Sequence, residues 1–398
     1  KRRAAGQAAD KHKAVGSEFF NNMAGVLGAD FMKTGAALPF CDWVTRDAFA
    51  AMDVAGYNYG IKRYVHDLKK YPDRLILGSE TFCNDAYRFR ELAKREPRLI
   101  GDFVWAGMDY IGETGVGAWE YEDYATLNIE YGWLTAGSGR VDLTGRALGE
   151  AYYTRVALEE ASGPWLAVCP VNHTGDKHSP SAWKMSNAID SWSWNGCEGR
   201  KANVEVYARA ASVSLVLNGR EIGRKAMRND CIARFSCTYE PGTLEAVAYD
   251  ESGREIGRNQ LVSASAETRL NASVEYTGRE LAYVRVRYTD EHGVTKPLER
   301  GTLRATLIGP DGKGGGAGGD TDEAVGGAKL LGFGCAAPCN KGSFVTGETG
   351  TYYGEALAVV RMPQSQEGTA VLHISDGRLS AQVSVEPIGI VNRTDSTR

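Results

Sequence analysis

The chain has 398 residues, 43% of them hydrophobic and 24% charged, enough for two or three domains at roughly 100–200 residues each. Its 46 basic and 50 acidic residues leave a net charge of −4, which gives no electrostatic case for binding nucleic acid or an anionic membrane. No apolar run approaches the roughly 18 residues of a transmembrane helix, so none is expected.

The eight cysteines are scattered without a Cys-x-x-Cys pair, and Cys335 and Cys339 have no nearby histidine to complete a zinc site. They read as reduced, buried thiols. The six histidines are dispersed as well, and neither a metal nor a cofactor is expected. The chain opens KRRAAGQAADKHK, with Lys rather than Met at position 1 and no signal-peptide pattern. It reads as a piece of something longer.

Residues 1–45 are weakly patterned. A helix over Ser17–Met32 is interrupted by Gly25 and Gly28. Arg46–Met52 reads as a short helix, followed by a strand over Asp53–Tyr59 that turns polar at its end. Ile61, Tyr64, Val65 and Leu68 recur at helical spacing, and Tyr71-Pro72-Asp73 stops that helix. A strand over Leu75–Gly78 comes next. A helix begun by Asn84 or Asp85 presents Ala86, Phe89, Leu92 and Ala93 on one face, and a strand over Ile100–Trp105 follows. Alternating strands and helices of this kind form a parallel sheet, as in an α/β barrel or a doubly wound fold. The pattern stops after a helix near Gly145–Glu160. That space holds three or four strands, far short of the roughly 250 residues of a whole (β/α)8 barrel.

Beyond Pro164 the helical period gives way to short alternating strands: Val204–Tyr207, Val213–Leu217 and Thr243–Tyr249. Asn218-Gly219 between alternating apolar residues marks a hairpin, and the stretch has the size of a β-sandwich. A second all-β module, Asn271–Pro387, includes strands at Tyr283–Tyr288, Leu303–Ile308, Ala356–Arg361 and Gln382–Val385. Its glycine-rich insert, residues 312–319, lacks the Gly-Lys-Ser/Thr ending and following helix of a phosphate loop, and reads as a hairpin loop. The tail beyond Ile388 is expected to be disordered.

In parallel αβ units, function gathers at the carboxyl ends of strands. Asn58 and Tyr59 close one strand, Glu80 the next, and Trp105 with Asp109 the third. If these strands are neighbours, an amide, a phenol, carboxylates and an indole share one mouth. That set can bond sugar hydroxyls and cover a sugar ring. Spacing alone equally allows Glu80 to be a structural partner of an arginine.

Ser79-Glu80-Thr81 followed by Asp102-Phe103-Val104-Trp105-Ala106-Gly107-Met108-Asp109-Tyr110-Ile111-Gly112-Glu113, and preceded by Ala55-Gly56-Tyr57-Asn58-Tyr59, resembles glycoside hydrolase family 2, which contains β-galactosidases, β-glucuronidases and β-mannosidases. Trp192–Gly199, Val204–Tyr207 and Leu217-Asn218-Gly219 resemble the DUF4982-type domain of bacterial β-galactosidases. Leu331–Gly334 with Tyr352-Tyr353-Gly354 resembles the immunoglobulin-like domain that follows it. The likeness covers nearly the whole chain beyond residue 15.

The resemblance implies the closing part of a (β/α)8 barrel over residues 1–160. A DUF4982-like sandwich over 164–266, an immunoglobulin-like sandwich over 270–388 and a tail at 389–398 would follow. It implies a retaining hydrolase of terminal β-glycosidic bonds, first of all β-galactosides, with an oligosaccharide or β-glycoside as substrate. Glu80 would be the nucleophile and Tyr59 its phenolic neighbour. Trp105 would stack on the sugar, with Asn58 and Asp109 as further substrate contacts. For Asp109 and Glu113, structural pairing and sugar contact weigh equally. The family's acid/base glutamate follows an asparagine on an earlier strand, and no Asn-Glu pair precedes Glu80. Glu18, the only earlier glutamate, stands in Gly16-Ser17-Glu18-Phe19-Phe20. The acid is therefore expected upstream of residue 1. The alternative reading is a non-catalytic carbohydrate-binding or structural piece.

Overall fold

The computed structural model describes residues 23–24, 26–119, 121, 132–179, 181–308, 314–315, 328–362 and 370–386. Two helices come first, α1 (Ala29–Ala36) and α2 (Pro39–Ala50). Gly28, at φ 84, interrupts the expected helix over Ser17–Met32: Met23, Ala24, Val26 and Leu27 before it are helical and α1 starts after it, while residues 17–22 and 25 lie outside the described set. Pro39 sits in the first turn of α2, where its missing N–H costs nothing. The short helix expected at Arg46–Met52 is the second half of α2. Its first half is hard to read because its amphipathicity is reversed: Phe40 and Trp43 are exposed while Asp42 is buried. Asp42 accepts from Lys70 Nζ at 2.6 Å and from the Tyr71 hydroxyl at 2.9 Å.

The strands β1 (Val54–Asn58), β2 (Leu75–Phe82) and β3 (Leu99–Trp105) form a parallel sheet in that order. Parallel neighbours need a crossover. The crossovers here are α3 (Tyr64–Lys70) and α4 (Ala86–Ala93). Ala55, Tyr57, Tyr64, Leu68, Ile76, Phe89 and Leu99 make one core from the sheet and both helices. Buried Asp67 ties α3 to the strands: it accepts from Tyr57 Oη at 2.6 Å, Arg63 Nε at 2.7 Å and Arg74 Nη1 at 3.3 Å. One expectation needs correcting here. β2 does not end at Gly78 but runs on to Phe82, with Thr81 and Phe82 paired to Val104 and Trp105 after a register shift.

Helix α5 (Gly149–Ala157) packs on β4 (Trp165–Val168) and β5 (Lys201–Tyr207) through a core that includes Ala86, Val104, Tyr153, Val156, Ala167 and Tyr207. The α/β part and the first all-β part therefore share apolar contacts rather than meeting at a bare linker.

That all-β part adds β6 (Ser212–Leu217), β7 (Arg220–Ala226), β8 (Ile232–Thr238), β9 (Thr243–Tyr249) and β10 (Glu255–Val262). Its two antiparallel sheets run β4-β5-β8 and β10-β9-β6-β7 and enclose Trp192, Trp194, Val204, Leu215 and Leu244. The hairpin between β6 and β7 turns through Asn218 at φ 50 and Gly219 at φ 79, the paired positive angles that an Asn-Gly turn supplies at low cost.

The last part comprises β11 (Arg269–Thr277), β12 (Leu281–Thr289), β13 (Leu303–Ile308), β14 (Gly314–Gly315), β15 (Lys329–Gly334), β16 (Glu348–Thr349), β17 (Glu355–Arg361), β18 (Ala370–Ser375) and β19 (Ser380–Val385). Sheets β11-β12-β17-β15 and β14-β13-β18-β19 cover a core that includes Val284, Val286, Phe333, Ala358 and Leu372. Within the glycine-rich insert, Gly314 and Gly315 pair with β13, and its other residues lie outside the described set, as does the tail beyond Ile388. The fold is thus mostly β, with two pairs of antiparallel sheets suited to immunoglobulin-like sandwiches.

Candidate active site

The site is built at the carboxyl end of the parallel sheet. A register shift after Tyr57 sets Asn58 of β1 opposite Glu80 of β2. Ser79 Oγ donates to Asn58 Oδ1 at 2.8 Å, which fixes the amide beside the carboxylate strand. Tyr59 follows at φ 52, a left-handed conformation costing on the order of 1–3 kcal/mol for a residue of this kind. Three contacts over-determine it. Its N–H donates to Glu80 O at 2.6 Å, and its ring stacks on Phe82 with centroids 4.2 Å apart. Its hydroxyl accepts the indole N–H of Trp183 at 2.8 Å.

At the end of β3, Trp105 is opposite Phe82 and meets Tyr110 edge-on at 5.4 Å. The Tyr110 hydroxyl donates to Glu113 Oε2 at 2.5 Å. Asn58, Tyr59, Glu80 and Trp105, four of the five residues singled out in the sequence, line one cavity of about 670 Å³. Glu113 and Trp183 share its wall, as do Phe31 and Met32 of α1 and Cys41 of α2.

The fifth residue does not join them. Asp109 is buried, accepts the Gly139 N–H at 3.3 Å, and borders a separate cavity of about 50 Å³ beside Trp119 and Tyr352. Glu113, four residues on, is the carboxylate that faces the larger cavity. Glu18 lies outside the described residues.

Burial is the main influence on the titration of these groups. It holds the Tyr59 phenol well above its ordinary range; the Trp183 N–H opposes that, and the adjacent Glu80 carboxylate reinforces it. Tyr59 therefore stays protonated and can donate. Tyr110 is raised in the same way, by burial first and then by Glu113. Behind the wall, burial pushes Asp102 up to about 6, against the hydrogen bond from Thr81 Oγ1 at 2.5 Å and with help from the charge of Asp85. Among the described residues, no cluster of three or more His, Cys, Asp or Glu side chains is placed to hold a metal ion.

Sequence reading misses Trp183 and the α1–α2 wall. Trp183 is 124 positions from its partner Tyr59, so no local period points to it.

Three comparisons bear on this geometry. Residues 199–257 match the family model "Domain of unknown function (DUF4982)". The chain is 27% identical over 228 residues to the β-galactosidase BoGH2A of Bacteroides ovatus, a stretch covering 55% of this chain and 22% of that protein. It is 26% identical over 192 residues to a putative β-glucuronidase of Formosa agariphila, covering 48% of this chain and 16% of that one. Among solved structures, a glycosyl hydrolase family 2 member from Bacteroides cellulosilyticus superposes with a TM-score of 0.73 at 28% identity, over 86% of this chain and 43% of its own. The chain thus spans less than half the length of these relatives. Over most of its length the fold is thus similar to that of a glycosyl hydrolase family 2 member. In sequence and fold the chain is similar to members of glycoside hydrolase family 2.

Proposed function

We propose that this protein is a retaining β-glycosidase that acts on terminal β-glycosidic bonds, β-galactosides foremost, with Glu80 as nucleophile. The strands β1–β3 and helices α1–α5 are then the closing part of a (β/α)8 barrel over residues 1–160, followed by sandwiches over 164–266 and 270–388. The name of the Bacteroides ovatus relative supports the choice of galactoside. The observation that carries the reading is the convergence of Glu80, Asn58, Tyr59 and Trp105 on one cavity.

In this reading a Glu80 oxygen bonds to the anomeric carbon while the bond to the leaving oxygen breaks, its electron pair departing with that oxygen. A second carboxyl about 5–5.5 Å from the nucleophile protonates the leaving oxygen, and water then replaces Glu80 with net retention. Tyr59, kept protonated by its burial, holds a phenolic donor in the cavity that Glu80 lines. Trp105 offers an indole face to the ring, and Asn58 and Glu113 are bonding partners for hydroxyls. Asp109 supports the turn at Gly139 rather than the sugar.

The test is proton NMR of the full chain acting on dinitrophenyl β-galactoside, whose leaving group needs no acid. The β-anomer of galactose should appear first and disappear in Glu80→Gln. Release of the α-anomer first, or unchanged turnover in Glu80→Gln, contradicts the assignment. A protein that only binds galactose supports the non-catalytic alternative.

A further inference from the structure

We propose that the junction between α5 and the two all-β parts holds a second site, distinct from the Glu80 cavity, that binds a neutral saccharide. Alternation along β12 prepares it. Val284 and Val286 enter the core of the last part, which turns Arg285 and Arg287 onto the outer face of their sheet. Glu355 of β17 is paired with Arg287 on that face, because its neighbour Ala356 is the core residue. The face is covered rather than open to solvent. With Arg146 of the turn before α5, Asp190 of the connection between β4 and β5, and Gln260 of β10, it encloses a cavity of about 480 Å³. That volume lies within the roughly 300–1,000 Å³ of small-molecule sites. None of its lining residues lines the Glu80 cavity, and the inference stands apart from the glycosidase reading.

The chemistry of the lining selects the ligand. Three guanidiniums, of Arg146, Arg285 and Arg287, face three carboxylates, of Asp190, Glu275 and Glu355, so the cavity has no surplus charge to hold an anion. The ion pairs around Glu355 are loose. Its oxygens lie 3.6 Å from Arg146 Nη1, 3.4 Å from Arg287 Nε and 3.6 Å from Arg285 Nη1, against about 2.7–2.9 Å for a close charge-assisted bond. Arg146 Nη1 is buried and has no hydrogen-bond partner among the described residues, although Nη2 of the same group donates to Asp190 Oδ1 at 3.2 Å. Gln260 adds an exposed amide, both donor and acceptor. A guanidinium only donates and a carboxylate only accepts, whereas a hydroxyl does both. Adjacent hydroxyls can therefore bridge Arg146 and Arg287 to Glu355, joining donors and an acceptor that the protein holds apart. A saccharide ring presents its hydroxyls in just such neighbouring pairs. Tyr152 supplies a fixed aromatic wall: its ring stacks on Trp165 with centroids 5.0 Å apart, and its hydroxyl donates to Asp190 Oδ2 at 3.0 Å.

The experiment is equilibrium dialysis of the full chain, carrying Glu80→Gln to prevent turnover, against radiolabelled lactose. Binding at two places is expected. Trp105→Ala should abolish the binding in the Glu80 cavity and leave the second site as it was. Arg287→Ala should weaken the second site at least about tenfold, the effect of losing a charged donor, and Gln260→Ala about threefold to tenfold, the effect of a neutral one. Neither should alter binding in the Glu80 cavity. If Arg287→Ala does not fold, Gln260→Ala at its exposed position carries the test. Lactose binding that both variants leave unmoved overturns the second site, as does no binding at all. Displacement of lactose from the Arg287-dependent site by millimolar inorganic phosphate also overturns it, since an anion would then be the ligand. Binding that depends on Arg287 and Gln260 but not on Trp105 upholds the second site while counting against the sugar contacts of the Glu80 cavity, so the two readings fail separately.

Discussion

Arg285 of β12 reaches back 141 positions to Thr144, donating from Nη1 to Oγ1 at 2.9 Å and from Nη2 to the carbonyl oxygen at 2.7 Å. Its side chain is 2% exposed, and Nε also donates to Glu275 at 3.0 Å. One guanidinium thus joins the turn before α5 to the last pair of sheets. A planar fork can serve a hydroxyl, a carbonyl and a carboxylate together, and a lysine cannot. Arg285→Ala is expected to destabilise the protein by about 1.5–3 kcal/mol, the range for hydrogen bonds involving a charged group. Arg285→Lys should recover only part of the loss, as read by urea unfolding.

Asp67 gives a larger effect. It is fully buried and compensates Arg63 and Arg74, themselves 6% exposed. Removing it leaves buried Arg74 without its carboxylate and Arg63 with Asp42 alone, at 3.3 Å, and Asp67→Ala should cost about 3–5 kcal/mol in chemical denaturation. The Tyr57 hydroxyl loses its acceptor at the same time, so Tyr57→Phe in the Asp67→Ala background should cost little more.

Asp102 yields a pH signature. Burial pushes its carboxyl up to about 6, whereas an unfolded aspartate titrates near 3.9. Between those values the folded state binds more protons than the unfolded one, so stability falls as pH rises from about 4 to about 6 and then levels off. Asp102→Asn keeps an oxygen for Thr81 Oγ1 and removes the ionisation. It should therefore be more stable than wild type at pH 7.5, by no more than about 3 kcal/mol, with the advantage gone near pH 4. Urea midpoints at the two pH values check this; an advantage that persists at pH 4 contradicts it.

Glu113 and Tyr110 form a pair in the cavity wall, with the phenol donating at 2.5 Å. If Glu113 bonds a sugar hydroxyl, Glu113→Gln should weaken galactose binding, measured by titration calorimetry, by about 1.5–3 kcal/mol, with little change in thermal stability. Unchanged affinity would make the pair a structural feature of the loop.

These relationships explain what the sequence made legible. The β1–β3 and α3–α4 units were readable because each carries an apolar face of the right period between clear stops, and the Asn218-Gly219 hairpin because its angles demand those residues. Convergence of Asn58, Tyr59, Glu80 and Trp105 followed from their shared place at the carboxyl ends of strands that proved to be neighbours. The length of β2 was not legible: a polar Ser79-Glu80 stretch looks like a loop, yet Thr81 and Phe82 keep it in the sheet. Nor was the first half of α2, where Phe40 and Trp43 face outward and the buried residue is an aspartate. Trp183 was hidden for a third reason: its position is set by Ser181 and by the carboxylate of Glu150, and no local pattern encodes contacts so distant in sequence.

The most direct test of the central claim is to find the residue that forms the covalent bond. After incubation of the full chain with 2,4-dinitrophenyl 2-deoxy-2-fluoro-β-galactoside, digestion and tandem mass spectrometry should place a single fluorosugar on Glu80, and Glu80→Gln should remain unmodified. A fluorosugar on any other carboxylate, Glu113 included, would contradict Glu80 as the nucleophile.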